Sequence, residues 1–410
     1  MIKSFRQKDI TFIKNLFLTT ILGGIIGILN YLFNIFVVRY TNQEIFSIFT
    51  ASLGIIYIVQ IPATSIQTLL TKVVAKNDNN NLQRYKWESL ISFGIIGAIS
   101  SLLFFFFKQT ISSIASIPEN TVAYLAITLL FSFLSPIYKA FLLGEERIIS
   151  FNLLMLLETV LKFAIGAIAI KMGGTLSLLI LASSLPSIIT SLVMLPLIKV
   201  NRSGSKIKTN YKDFILITLF ILFLTLPYTI DLVLVNSEFR AEYGSISLLG
   251  KLVYFSSIMT ASVMFARVSN ENQEKNRRRS LIISLILALS IGLVISLMYF
   301  VMTDLVIKLT IGEQYLAVGK YLGLFGVCMS GFAVVYMVAN YFISQNIYSY
   351  MVILFASSLL QILLFKYRNS SLDIVIQNQL ILYGILSLST ILFLIYKFMI
   401  KRNEKDRAKD

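Results

Sequence analysis

The sequence predicts an all-α integral membrane protein of about 12 transmembrane helices, arranged as two pseudo-repeated six-helix lobes around a central cavity. Three observations predict it. Of 410 residues 57% are hydrophobic and only 14% charged, with a mean hydropathy of +0.80, against the roughly 25% charged residues of a soluble domain. Apolar runs of about 18 to 25 residues recur from end to end, each long enough to cross about 30 Å of hydrocarbon as a helix. A basic, polar connection, KVNRSGSKIKTNYKD (Lys199 to Asp213), divides those runs into two sets of six.

The runs fall at 13–38, 45–70, 89–109, 120–143, 151–171, 176–198, 213–235, 244–268, 280–303, 319–343, 347–366 and 379–399. The first follows Lys3, Arg6, Lys8 and Lys14, is too long for a signal-peptide core and has no small-residue cleavage site, so it reads as a permanent anchor. The organisation expected is therefore a lobe over 1–200, a cytoplasmic linker over 201–212, a lobe over 213–400 and a basic tail over 401–410.

Twelve spans put both termini on one side. Arg39, Lys108, Lys171, Arg240, Lys308, Lys320, Lys366 and Arg368 fall on the opposite side; the other Lys and Arg, Lys139 among them, fall with the termini, leaving only Lys162 and Lys251 inside the membrane. The positive-inside rule makes the termini cytoplasmic. The +16 net charge is then topological, with anionic membrane lipids as its natural neighbours, and no soluble module exists to present a nucleic acid with a groove-reading element.

Composition excludes several chemistries. Cys328 is the single cysteine and histidine is absent, which argues against internal disulfides, zinc sites and histidine-based acid–base catalysis. No Gly-rich phosphate loop ending in Lys-Ser or Lys-Thr occurs. No cofactor is expected, and no enzyme activity.

The two halves share a weak internal repeat. NIFVVRYTNQEIFSI (Asn34 to Ile48) after the first span has a counterpart in DLVLVNSEFRAEYGSI (Asp231 to Ile246) after the seventh, and LLTKVVAKN (Leu69 to Asn77) in VMFARVSNEN (Val263 to Asn272). Duplicated bundles are a transporter signature.

DLVLVNSEFRAEYGSISLLGKL (Asp231 to Leu252), followed by VMFARVS (Val263 to Ser269), resembles the multidrug/oligosaccharidyl-lipid/polysaccharide exporter superfamily, specifically its polysaccharide flippases of the O-antigen and capsule repeat-unit type. Length and span count agree over nearly the whole chain; the motifs cover about 60 residues, and Ala266 stands where that family often has Pro. The resemblance implies a flippase of the bacterial plasma membrane that carries an undecaprenyl-pyrophosphate-linked oligosaccharide between leaflets. Membrane lipids and other polysaccharide assembly proteins would be its partners. A drug exporter of the same superfamily is the first alternative. A major-facilitator protein would carry a Gly/Asp/Arg motif where KNDNNNLQRYKWE stands, and a polymerase or glycosyltransferase would need a large acidic or arginine-bearing outer loop.

Candidate site residues come from polar groups inside the spans, where ionisable residues are functional by default. Glu158 and Lys162 lie in the middle of the fifth span. Each costs about 2.5 to 3.5 kcal/mol to insert, and some ten Leu, Ile, Val and Phe at about −0.3 to −0.6 each offset this, so neighbouring helices must shelter the charges. At 100° per residue Phe151, Met155, Glu158, Thr159, Lys162, Gly166 and Ala169 share one sector, with Leu154, Leu157, Leu161, Ile165 and Ile168 in another. Two readings stay open: a self-neutralising i, i+4 pair, or a cavity cation, Lys162, tuned by Glu158.

On the first span Thr19, Gly23, Gly27, Asn30 and Asn34 share a face, suited either to close helix packing or to hydrogen-bonding sugar hydroxyls. Arg39 at the outer mouth reads more as a snorkelling interfacial residue than as a ligand contact. Asp231, one turn after Pro227, should sit at the depth of Lys251, as a structural ion pair or as an ion-coupling group, with Pro227 a bending point. PATSIQTLLTK (Pro62 to Lys72) is rich enough in Thr, Ser and Gln to line an inner vestibule.

Overall fold

A computed structural model describes residues 22–23, 25–74, 77, 79–145, 147–173, 176–194, 207, 209–270 and 273–407. Thr19, most of the 201–212 connection and the side chains of the 401–410 tail lie outside the described residues. Among the described residues every regular element is a helix, the only open-ended secondary structure that satisfies its own backbone in lipid.

The long helices are α1 (Ile25–Tyr40), α2 (Gln43–Val74), α3 (Asn79–Phe106), α4 (Glu119–Gly144), α5 (Ile148–Lys171), α6 (Leu176–Met194), α7 (Tyr211–Thr225), α8 (Arg240–Asn270), α9 (Glu274–Val301), α10 (Gly319–Ser344), α11 (Met351–Tyr367) and α12 (Leu372–Arg407). Among the described residues ten helices are long and apolar enough to cross a membrane; α1 and α8 stand where the sequence expects the first and eighth spans.

Local chemistry sets the ends and bends. Asn42 caps α2, its Oδ1 accepting from the Ile45 amide at 2.8 Å. Pro62, which has no N–H to donate, interrupts α2 next to Gln60 (φ −86°, ψ −3°). The seventh span breaks outright. Its α-helix stops at Thr225, Leu226–Tyr228 form a 3-10 turn around Pro227, and a short helix resumes over Ile230–Leu234.

Two compact units result, Met1–Thr225 and Leu226–Asp410. In the first, α4 packs against α2 and α3, and α5 against α6. Ile66, Leu69, Leu70, Phe93, Phe133, Ile137, Phe141 and Phe214 form its core. Ile95, Ile99, Leu102 and Phe106 of α3 stay exposed, as a surface meant for lipid tails requires. In the second unit α10 is the central helix, packed by α8, α9 and α12. Close approach there needs glycine: a Cβ on Gly250 would lie 2.2 Å from Phe325.

Three residues are more buried than the sequence reading suggests. Lys139, counted with the surface basic residues, is buried in α4, five residues or about 7.5 Å inside its end. Arg240, assigned to the outer side, is buried as well: its guanidinium donates to the Val235 carbonyl at 2.7 and 3.0 Å and to that of Val233 at 3.2 Å. It thereby caps the short helix after the break, a favourable place for a cation. Leu154, grouped apart from the charged sector of α5, is buried too.

Candidate functional site

In the first unit, α1 and α5 meet along a seam. Phe36 stacks on Phe163 with ring centroids 5.6 Å apart. One turn along, Phe33 lies against Gly166, where a Cβ would come within 2.3 Å of its ring. Next comes a polar rung: Asn30 Nδ2 donates to Thr159 Oγ1 at 3.3 Å, and Lys162 Nζ donates to Asn30 Oδ1 at 3.0 Å. The Lys162 ammonium also stands 4.6 Å from the centroid of the Phe33 ring, within cation–π range. Asn30, Thr159 and Lys162, three residues singled out in the sequence, are therefore one hydrogen-bonded group.

Glu158 is not paired with Lys162. Its Oε2 accepts from Lys139 Nζ of α4 at 2.7 Å, and its Oε1 accepts from Thr190 Oγ1 of α6 at 2.5 Å, with the Tyr138 hydroxyl 3.5 Å away. Glu158 thus ties three helices together, and the i, i+4 pairing within α5 gives way because a closer cation is available from α4. Among the described residues Lys162 has no carboxylate within 4.0 Å, and it remains half-buried.

Asn34 lies one turn further along α1, buried, and its Nδ2 returns to the Asn30 carbonyl at 3.2 Å. Its Oδ1 has no hydrogen-bond partner. Arg39 is exposed at the end of α1, apart from this group. In α2, Thr64 is exposed and Gln67 and Thr68 half-buried.

The second unit gathers Pro227, Asp231 and Lys251 around the broken span. Pro227 presents a carbonyl that no helical amide takes up; Gln361 Nε2 of α11 donates to it at 2.9 Å and the Tyr383 hydroxyl of α12 at 3.1 Å. Asp231 Oδ2 accepts from the Tyr243 hydroxyl at 2.5 Å and from Gln379 Nε2 at 3.1 Å, with Lys251 Nζ 3.9 Å away. Gln379 Oε1 in turn accepts from Gln361 at 2.9 Å. Three helices, α8, α11 and α12, therefore hold the break open. Gln361→Leu, which keeps the volume but removes one donor from the Pro227 carbonyl and leaves Gln379 Oε1 unpartnered, is expected to destabilise the protein by about 1–3 kcal/mol, read as a lower midpoint of thermal unfolding in detergent. An unchanged midpoint would mean that the network does not hold the break.

Sequence reasoning missed Lys139, Thr190, Tyr243, Gln361, Gln379 and Tyr383. Gln361, alone among apolar residues in LLQILLF, carried a visible signal. A tyrosine in a span carries none, because it serves equally as apolar filling.

Two buried polar clusters are set in helices long enough to span a bilayer, the arrangement of a multi-pass membrane protein. Solved structures similar to this chain in fold include a lipid II flippase and transporters of the MOP superfamily. The lipid II flippase MurJ in an inward closed conformation superposes with a TM-score of 0.71 at 13% identity, over 92% of this chain and 87% of that one. An inward-facing multidrug resistance MATE family transporter of the MOP superfamily gives 0.68 at 17% identity over 92% and 95%. A MOP superfamily transporter from Pyrococcus furiosus, described as having a binding pocket of reverse polarity, gives 0.59 at 16% over 92% of both chains. No family model matches the sequence, and no curated protein sequence does.

Proposed function

We propose that the protein is a flippase that moves an undecaprenyl-pyrophosphate-linked oligosaccharide repeat unit across the bacterial plasma membrane by alternating access, with both termini cytoplasmic. The observation that carries this reading is Lys162: a half-buried ammonium in a membrane helix whose neighbouring carboxylate, Glu158, is already neutralised by Lys139. A cation costs about 2.5–3.5 kcal/mol to place near the centre of a membrane helix, and one without a counter-ion suits an anionic ligand such as a diphosphate. Asn30 and Thr159 beside it supply the amide and hydroxyl that sugar hydroxyls require.

The fold likeness to a lipid II flippase supports a lipid-linked substrate, and the likeness to MATE transporters keeps a drug exporter as the second reading. The charges favour the first. A cationic drug needs an uncompensated carboxylate, whereas the two buried acids of the candidate clusters, Glu158 and Asp231, each face a lysine.

Reconstitution into proteoliposomes decides between them. The expected result is protein-dependent transfer of a lipid-pyrophosphate-linked oligosaccharide between leaflets, with no uptake or efflux of cationic dyes. Dye transport without oligosaccharide transfer would overturn the flippase reading.

A further inference from the structure

The second unit holds a charge arrangement that the substrate reading does not use. Asp231 is fully buried, at 0% exposed, and Lys251 is 4% exposed. Their separation of 3.9 Å is close enough for strong attraction at low dielectric but too long for a hydrogen bond. Three polar atoms of this cluster are left without hydrogen-bond partners: Asp231 Oδ1, Lys251 Nζ and Gln361 Oε1. A structural ion pair that merely locked two helices would close to contact, since charge-assisted bonds of about 2.7–2.9 Å are what repay the desolvation of two ions.

The surroundings are those of a cation pocket. Asp231 opens the first turn of a helix that resumes after a break, and interrupted membrane helices are where transporters build ion sites. The partners of Asp231 Oδ2, Tyr243 and Gln379, are both neutral donors. The only charge that balances the carboxylate among the described residues is the Lys251 ammonium, which has the charge of an alkali-metal ion and is held on the chain.

We propose that Lys251 is a resident counter-cation: its ammonium occupies the place of a monovalent inorganic cation beside the Asp231 carboxylate, and removing it turns the pocket into a site for such an ion. A corollary is that the intact pocket does not depend on inorganic cations.

Thermal unfolding of the full-length protein in detergent tests this without any transported substrate, so its outcome is independent of the flippase reading. NaCl, KCl and LiCl are compared with choline chloride at equal ionic strength. The wild type is expected to show the same midpoint in all four. Lys251→Met is expected to be less stable in choline chloride and to recover by about 2–4 °C, saturably, in at least one alkali salt. The double variant Asp231→Asn/Lys251→Met, with neither charge, should be more stable than Lys251→Met in choline chloride and show no salt preference. A wild-type midpoint raised by one alkali ion and made insensitive to it by Asp231→Asn would overturn the proposal, since the ion would then bind beside Lys251. So would a folded Lys251→Met with no response to any alkali ion. If Lys251→Met fails to fold, the double variant decides: failure of the uncharged pair to restore folding shows that Lys251 does not act by balancing Asp231.

Discussion

Lys162→Ala is expected to lower the rate of lipid-linked oligosaccharide transfer in proteoliposomes by about 10- to 150-fold at sub-saturating substrate, with little change in thermal stability. The range follows from a hydrogen bond to a charged group, worth about 1.5–3 kcal/mol, converted at about 1.4 kcal/mol per decade. Stability should hold because the substitution strands no carboxylate. Lys162 gives up a bond to Asn30 Oδ1 and a contact with the Phe33 ring, while the cost of keeping a cation in the membrane disappears. Lys162→Arg, which keeps the charge but presents a planar fork instead of a point donor, should retain part of the activity, and Lys162→Glu should lose it. Wild-type transfer by Lys162→Ala would remove the cation from the mechanism and leave the seam between α1 and α5 a packing feature.

Much of this architecture is legible in the sequence because a bilayer simplifies the problem. Helix length is set by hydrocarbon thickness and backbone satisfaction by the helix itself, so apolar runs alone locate the spans, and Pro227 marks the place where one of them breaks. What the runs do not contain is the pairing of charges across helices. Lys139 sits near enough to a helix end to be counted with the surface residues that orient the chain, and the nearest acid in sequence to Lys162 is Glu158. Yet Glu158 reaches a lysine 19 positions earlier in the chain rather than the one 4 positions later. The same holds for the break. Pro227 is visible at once, but its carbonyl is satisfied by Gln361, 134 positions away. Such partners depend on how α4 and α5, or the turn at Pro227 and α11, come together. Side-chain periodicity within one helix records which face is buried and says nothing about what meets it.

Glu158→Leu should produce the opposite pattern to Lys162→Ala, with stability collapsing. The carboxylate is the counter-ion of Lys139 at 2.7 Å, with the two side chains 11% and 9% exposed, and it also accepts from Thr190. Removing it leaves a buried ammonium without compensation, a loss of about 3–5 kcal/mol, and Thr190 without its carboxylate acceptor. Lys139→Met should cost a comparable amount for the mirror reason. The double variant Lys139→Met/Glu158→Leu, which buries apolar groups of similar length where the ions were, should be more stable than either single variant. The resulting non-additivity of midpoints in a double-mutant cycle measures the coupling directly. The parallel cycle of Glu158→Leu with Lys162→Met should be close to additive, because Lys162 answers to Asn30 and not to the carboxylate. Coupling found in the second cycle and absent from the first would show that Glu158 belongs to Lys162 after all, and with it the charge assigned to substrate would be spoken for.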